Sequence, residues 1–253
     1  MADTGVSEIQ PTSLVAHLKA PQTPRSTICS QRLDEKYYQN VKPKGFAEGL
    51  LIKARDGIYQ DFLRSMRPQQ EDTILDVGVS DVINDGANVL ERKYPYKNKI
   101  TACGLSDALE FTQNFPECGY VKLLRNEVLP FTNNYFDVAM SNAVVEHVGS
   151  IENQIFFFKE LCRVAKRAFI SVPNRYFPIE HHTALPLLHF DKNLFSLACA
   201  ITNKSEWADE KNLILMTRKR LWQLAATVDK RASIGYTGLH MGPFSSNIYI
   251  ALY

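Results

Sequence analysis

The sequence predicts an α/β domain: an open, mostly parallel sheet with helices on both faces. Three observations carry that expectation. Residues 73–77 (TILDV) form a short apolar, β-branched run of the kind buried on both faces of a sheet, and the run stops at Gly78, where the backbone is free to turn. A second such run, residues 99–103, stops at Gly104, and residues 87–93 between them carry helix formers, with Asn84 or Asp85 available as N-cap. Strand, glycine turn, helix and strand make a right-handed crossover that brings both glycine ends to one edge of the sheet, where open α/β sheets bind ligands. Finally, apolar runs alternate with helical patterns as far as a closing pair of strands at 232–235 and 247–253.

The elements follow in order. Residues 49–66 place Leu50, Leu51, Ala54, Ile58, Phe62 and Leu63 on one helical stripe ahead of the first strand. After the second strand come a helix at 105–114 and a strand at 120–124. Pro130, Thr132, Asn133 and Asn134 spell a turn, and 135–141 is an apolar strand with Asp137 at its far end from the ligand edge, a structural position. Residues 151–167 read as a helix and 168–172 as a strand ended by Pro173. Residues 194–201 are helical, 203–211 loop-like, and 213–228 helical with Thr217 as N-cap. The last two strands are joined by a loop containing Gly238, Gly242 and Pro243.

Composition narrows the function. A chain of 253 residues that is 45% hydrophobic fits one large domain. Twenty-nine basic residues against 27 acidic ones, a formal charge of +2, give no footprint for nucleic acid. Five cysteines (Cys29, Cys103, Cys118, Cys162 and Cys199) lack any CxxC spacing, so neither a disulfide framework nor a zinc site is expected. No stretch has the length of a membrane span and the N-terminus lacks the order of a signal peptide, so the reading is soluble and cytoplasmic.

The segment 174–190, NRYFPIEHHTALPLLHF, gathers three histidines, one acid and three aromatics at the ligand edge after the fifth strand. Adjacent His181 and His182 point in different directions on a regular element, and with His189 and Glu180 they match no zinc or iron spacing, so no metal is expected. An organic substrate wall is the preferred reading. At the first glycine turn a dinucleotide is disfavoured, because Ser80 and Ile83 stand where a pyrophosphate loop needs glycine.

Residues 129–148, LPFTNNYFDVAMSNAVVEHV, together with the Gly78 turn, resemble the class I S-adenosylmethionine-dependent methyltransferases, in the type 11 group and its bacterial small-molecule branch. The HT, LPLLH stretch resembles that branch too. The resemblance runs from about Thr73 onward. It implies a Rossmann-like seven-stranded sheet in the order 3-2-1-4-5-7-6 with the last strand antiparallel, and S-adenosylmethionine as cofactor. It places Asp76, Gly78, Ser80, Gly104, Leu105, Asn126, Ser141 and Asn142 around that cofactor, His147 as catalytic base, and Tyr176, His181 and His182 on the acceptor side. Gly104 stands where the family carries its ribose acid, and Arg125 and Asn126 where it often carries an acid for adenine; Asp107 and Glu110 are the nearest acids to the ribose.

The implied domain is 46–253, with a substrate-side insertion at about 174–215. Residues 1–45 are an N-terminal extension, partly mobile and a candidate lid, with Tyr37, Tyr38 and, just past it, Phe46 as aromatics that could close over the site. The implied activity is methyl transfer to an oxygen or nitrogen of a small organic acceptor, a secondary metabolite or glycan precursor. The alternative is a protein of this fold that has lost or repurposed the transfer, as a non-catalytic partner or a pericyclase-like enzyme. A small-molecule acceptor is the expected partner, without nucleic acid or membrane span, and a homodimer is compatible with the sequence.

Overall fold

The computed structural model describes residues 46–83 and 88–253. The lid expectation for residues 1–45 and the N-caps expected at Asn84 and Asp85 fall outside those residues, as does Cys29.

In chain order the principal elements are α1 (Phe46–Met66), β1 (Ile74–Val77), α2 (Val89–Lys93), β2 (Ile100–Gly104), α3 (Leu109–Asn114), β3 (Gly119–Lys122), β4 (Phe136–Asn142), α4 (Ile151–Val164), β5 (Ala165–Pro173), α5 (Lys192–Ile201), α6 (Arg218–Ala225), β6 (Ala232–Met241) and β7 (Phe244–Leu252). The seven strands form one sheet in the order β3-β2-β1-β4-β5-β7-β6. β1 lies between β2 and β4, parallel to both, and all four of its residues are buried. β7 runs antiparallel to both β5 and β6, as the sequence predicts.

Strand alternation sorts the core into two layers. Leu75 and Val77 point to the face covered by α4 and α6, where Phe158, Leu161, Leu221 and Leu224 pack. Ile74 points to the opposite face, where Ile58, Phe62 and Met66 recur every four residues along α1 and meet Leu90, Phe111 and Phe169. Phe62 sets its ring edge-on to Phe169 at 5.7 Å. Burying each such side chain contributes roughly 1.5–3 kcal/mol.

Boundaries depart from the sequence where pairing outweighs local preference. The helix expected to reach Arg167 stops at Val164, because Ala165 and Arg167 pair with Phe136 and Val138 and the helix passes directly into β5. Ser150 caps α4 by accepting from the Asn153 amide at 3.1 Å. Thr217 caps α6 as expected, accepting from Arg220, but residues 213–216 are extended rather than helical: the Ile214 amide donates to the Glu146 carbonyl and the Met216 carbonyl accepts from Arg175. β6 and β7 are longer than the apolar runs alone indicate. Gly238 belongs to an irregularity inside β6, at φ +81°, and only Gly242 with Pro243 forms the turn. Among the described residues no helix is long and apolar enough to cross a membrane.

Candidate functional site

Gly78 follows β1 at the carboxyl edge. Its amide and that of Val79 both donate to the Cys103 carbonyl, at 2.8 and 3.1 Å, which leans the loop onto β2. Gly78 is exposed, at φ +106°, and the space a side chain would need there is filled by Val144, from the segment that follows β4. Asn142 and exposed Ala143, itself at φ +57°, flank it. The result is a bare backbone ledge, closed to any side chain at residue 78 but open to solvent above.

Each predicted cofactor residue has a definite place around this ledge. Asp76 turns beneath it, to the face of α1 and α2, where it meets Glu91 of α2, fully buried. Burial first, then the proximity of Glu91, pushes the Asp76 carboxyl well above its usual range, and burial pushes Glu91 up to about 7. Neither Glu91 oxygen has a donor among the described residues, and two carboxyls this close favour keeping a proton on the pair. Ser80 is held by Asn88 through a reciprocal amide pair, the Ser80 amide donating at 3.0 Å and its carbonyl accepting at 2.7 Å. Ser141 is fully buried, its hydroxyl donating to the Val77 carbonyl at 2.9 Å, so it ties β4 to β1 below the edge. Asn142 does reach the edge, accepting from Ser171 at 2.6 Å.

The nucleoside end differs. Gly104 is covered: a Cβ there would meet the Tyr120 hydroxyl at 2.9 Å and the Val79 carbonyl at 3.0 Å. Tyr120 donates to the Ser106 carbonyl, which holds it there. Leu105 is half-buried beside it, and Asn126 is exposed at φ +58° beyond β3. Asp107 is exposed and paired with Lys122.

A second cluster lies where the segment after β4 meets 174–216. His147 Nδ1 donates to the Asn212 carbonyl at 2.8 Å, since a carbonyl only accepts. His182 Nδ1 lies 2.9 Å from Glu180 Oε1, and Glu180 Oε2 accepts from the amides of His182 and Thr183 and from the Thr183 hydroxyl. These outer partners aim the two Nε2 atoms at each other, 3.1 Å apart. Trp207 lies against His182 at 4.9 Å. Glu146 is buried beside them, 4.0 Å from His147 Nε2, and among the described residues neither of its oxygens accepts a hydrogen bond.

The electrostatics follow from burial. Burial pushes His147 down to about 3, reinforced by His182, and pushes the Glu146 carboxyl up to about 7. Burial also opposes charge on Glu180 and His182, but their contact and the Thr183 bonds overcome it: Glu180 is held below the carboxylate range and His182 above the usual histidine value. In the hydrogen-bonded form His182 therefore carries the proton and donates to His147.

His181 points elsewhere, against Phe177 at 5.8 Å, with burial pushing it down to about 4. His189 is buried and bonds the Phe177 carbonyl. Tyr176, half exposed, lines a separate cleft of about 260 Å³ with Thr217, Arg218, Lys219, Tyr236 and Phe244. Sequence reasoning missed Glu91, Asn88, Val144 and Asn212.

A sheet in this order, with an antiparallel β7 and a glycine ledge after β1, is the Rossmann-like methyltransferase fold. Residues 75–168, from β1 into β5, match the family described as a methyltransferase domain. Among solved structures, an S-adenosylmethionine-dependent methyltransferase from Aquifex aeolicus aligns over 87% of this chain and 98% of its own at 14% identity and a TM-score of 0.56. One from Methanosarcina mazei aligns over 77% and 96%, at 16% identity and a TM-score of 0.51. A structure described as PigF with SAH covers 82% of this chain and 56% of its own, at 14% identity and a TM-score of 0.52. A search of curated protein sequences returns no match. The fold is that of the class I methyltransferases, whose cofactor is S-adenosylmethionine, and the stretch from β1 into β5 is similar to their methyltransferase-domain family.

The ledge fits the methionine end of that cofactor, since a backbone without side chains is what a zwitterion can approach closely. Gly104 itself offers no acid and is covered by Tyr120 and Val79.

Proposed function

We propose that the chain transfers the methyl of S-adenosylmethionine to an oxygen or nitrogen of a small organic acceptor. The observation that carries this reading is the exposed Gly78 ledge beside Asn142 and Ala143. Backbone groups at Gly78 and Ser80 and the Asn142 side chain hold the methionine end, Leu105 packs by the ribose, and Asn126 offers an amide to adenine. Asp76 and Ser141 act from below, the first by setting the loop and the second by fixing β4 against β1.

When bound, the cofactor supplies the electrophilic methyl. The chain supplies position, holding the acceptor in line with the leaving sulfur, which is where most of the rate in such a transfer originates. The acceptor enters through the Tyr176 cleft, at the carboxyl end of β5 and the amino end of β7, whose Arg218 and Lys219 suit an anionic substituent and whose Tyr176 and Tyr236 suit a ring. His147 is not placed as a lone base, because its Nε2 faces the His182 ring.

Calorimetry with S-adenosylmethionine tests the first half. One site is expected, weakened roughly tenfold by Asn88→Ala, which releases the Ser80 peptide. Mass spectrometry of anionic acceptors incubated with labelled cofactor tests the second, a gain of one methyl being expected. No binding at millimolar cofactor would overturn the reading.

The covered Gly104 favours one rival, a protein that binds the cofactor without using its methyl, as a pericyclase-like enzyme would. Binding without any methylated product would select it.

A further inference from the structure

We propose that Glu146, His147 and His182 form a binding site for a divalent transition-metal ion of the zinc type.

The argument begins with proton counting. The Asn212 carbonyl fixes the proton of His147 on Nδ1, and the Glu180 carboxylate does the same for His182. Both rings then present Nε2 inward, 3.1 Å apart, and two lone pairs at that distance repel unless something positive lies between them. Beside them Glu146, 1% exposed, points two oxygens at the same space with no donor among the described residues. A proton on His182 satisfies the two rings but leaves the carboxylate unanswered. A single cation satisfies all three.

The geometry agrees. Two imidazole nitrogens, each about 2.0–2.1 Å from a shared ion, stand 3.1 Å apart when they subtend about 100° at it. The donor atoms of the three residues lie within 4.8 Å of one another, with Glu146 Oε1 4.0 Å from His147 Nε2. The outer partners are those a metal site has: a carboxylate on one histidine and a backbone carbonyl on the other, each fixing the tautomer that exposes Nε2. Two histidines and a carboxylate suit zinc and its neighbours in the first row, and three protein ligands leave a position for water or an oxygen of the acceptor. The inference does not rest on methyl transfer, because it concerns metal binding by the chain alone.

The test is titration of the chelator-treated full chain with Zn²⁺ by calorimetry, and with Co²⁺ by visible absorption. One equivalent of Zn²⁺ is expected, at sub-micromolar Kd, with a cobalt band in the visible. His147→Ala and His182→Ala should each weaken binding roughly 100-fold or more. Glu146→Gln, close to isosteric, should weaken it with the melting curve intact, so that a folding defect is not mistaken for ligand loss. His181→Ala, next in sequence but aimed elsewhere, should leave binding unchanged. Absence of a stoichiometric site, or binding indifferent to the His147, His182 and Glu146 substitutions, would overturn the proposal, as would loss of binding in His181→Ala.

Discussion

Val144 occupies the space that a side chain at Gly78 would need. The glycine is therefore demanded by the chain's own packing as well as by the ledge it forms. Gly78→Ala meets both a left-handed backbone and a methyl already in place, and is expected to destabilise the fold by about 3 kcal/mol. Val144→Ala in the same chain removes the collision but not the backbone strain, and should restore roughly half of that loss. Urea unfolding of the two single variants and the double variant measures the coupling; purely additive effects would show that the two residues do not compete for space.

Asp137 accepts from the Thr73 amide and hydroxyl at 2.9 and 3.0 Å and pairs with Lys166 at 2.7 Å. Lys166 first, then the Thr73 amide, lowers its carboxyl to about 2, against about 3.9 in an unfolded chain. A depressed folded value contributes stability above the unfolded one, and the contribution disappears as pH falls through the folded one. Asp137→Asn should thus cost about 1 kcal/mol at neutral pH, a figure reduced for the exposed Lys166. The gap to the parent chain should close between about pH 4 and pH 2. Stability curves for both proteins over that range decide it; a gap that persists at pH 2 would mean that the carboxylate charge is not its source.

Arg163 of α4 anchors the loop that enters β4. It bonds Glu160 at 2.8 and 2.7 Å and the carbonyls of Leu129 and Phe131, while Glu160 accepts from the Leu129 amide. Arg163→Ala leaves the Glu160 carboxylate without its cation and should cost about 2 kcal/mol, lowering Tm by roughly 6 °C. Glu160→Gln combined with Arg163→Ala should be less harmful than Arg163→Ala alone, because no bare charge remains. Calorimetric melting of the three variants checks the order.

The sheet was legible because each buried strand is an apolar run closed by a glycine, a turn or a proline, as at Gly78, Gly104 and Pro173. The junction at Val164 was not, since Ala165, Lys166 and Arg167 prolong a helical pattern and only pairing with β4 extends them. Within the site, Gly78 and Asn142 announced themselves by position. The Asp76–Glu91 pair did not, because Glu91 falls in an ordinary charged helix turn and its burial depends on where α2 packs. The histidines are visible singly, but the only spacing the sequence offers lies inside 180–189, whereas His182 meets His147 across 35 residues. Ligands drawn from separate elements leave no local spacing to read.

The position of β7 bears on how the molecule is made. It is the latest of the seven strands to be synthesised, yet it lies inside the sheet, between β5 and β6. Until it emerges from the ribosome, β5 presents the unpaired backbone of an apolar strand to its surroundings, an edge on which nascent chains can stick together. Yield during expression should consequently depend on how fast residues 244–252 arrive and dock, and slowing translation just before them would be the way to see it.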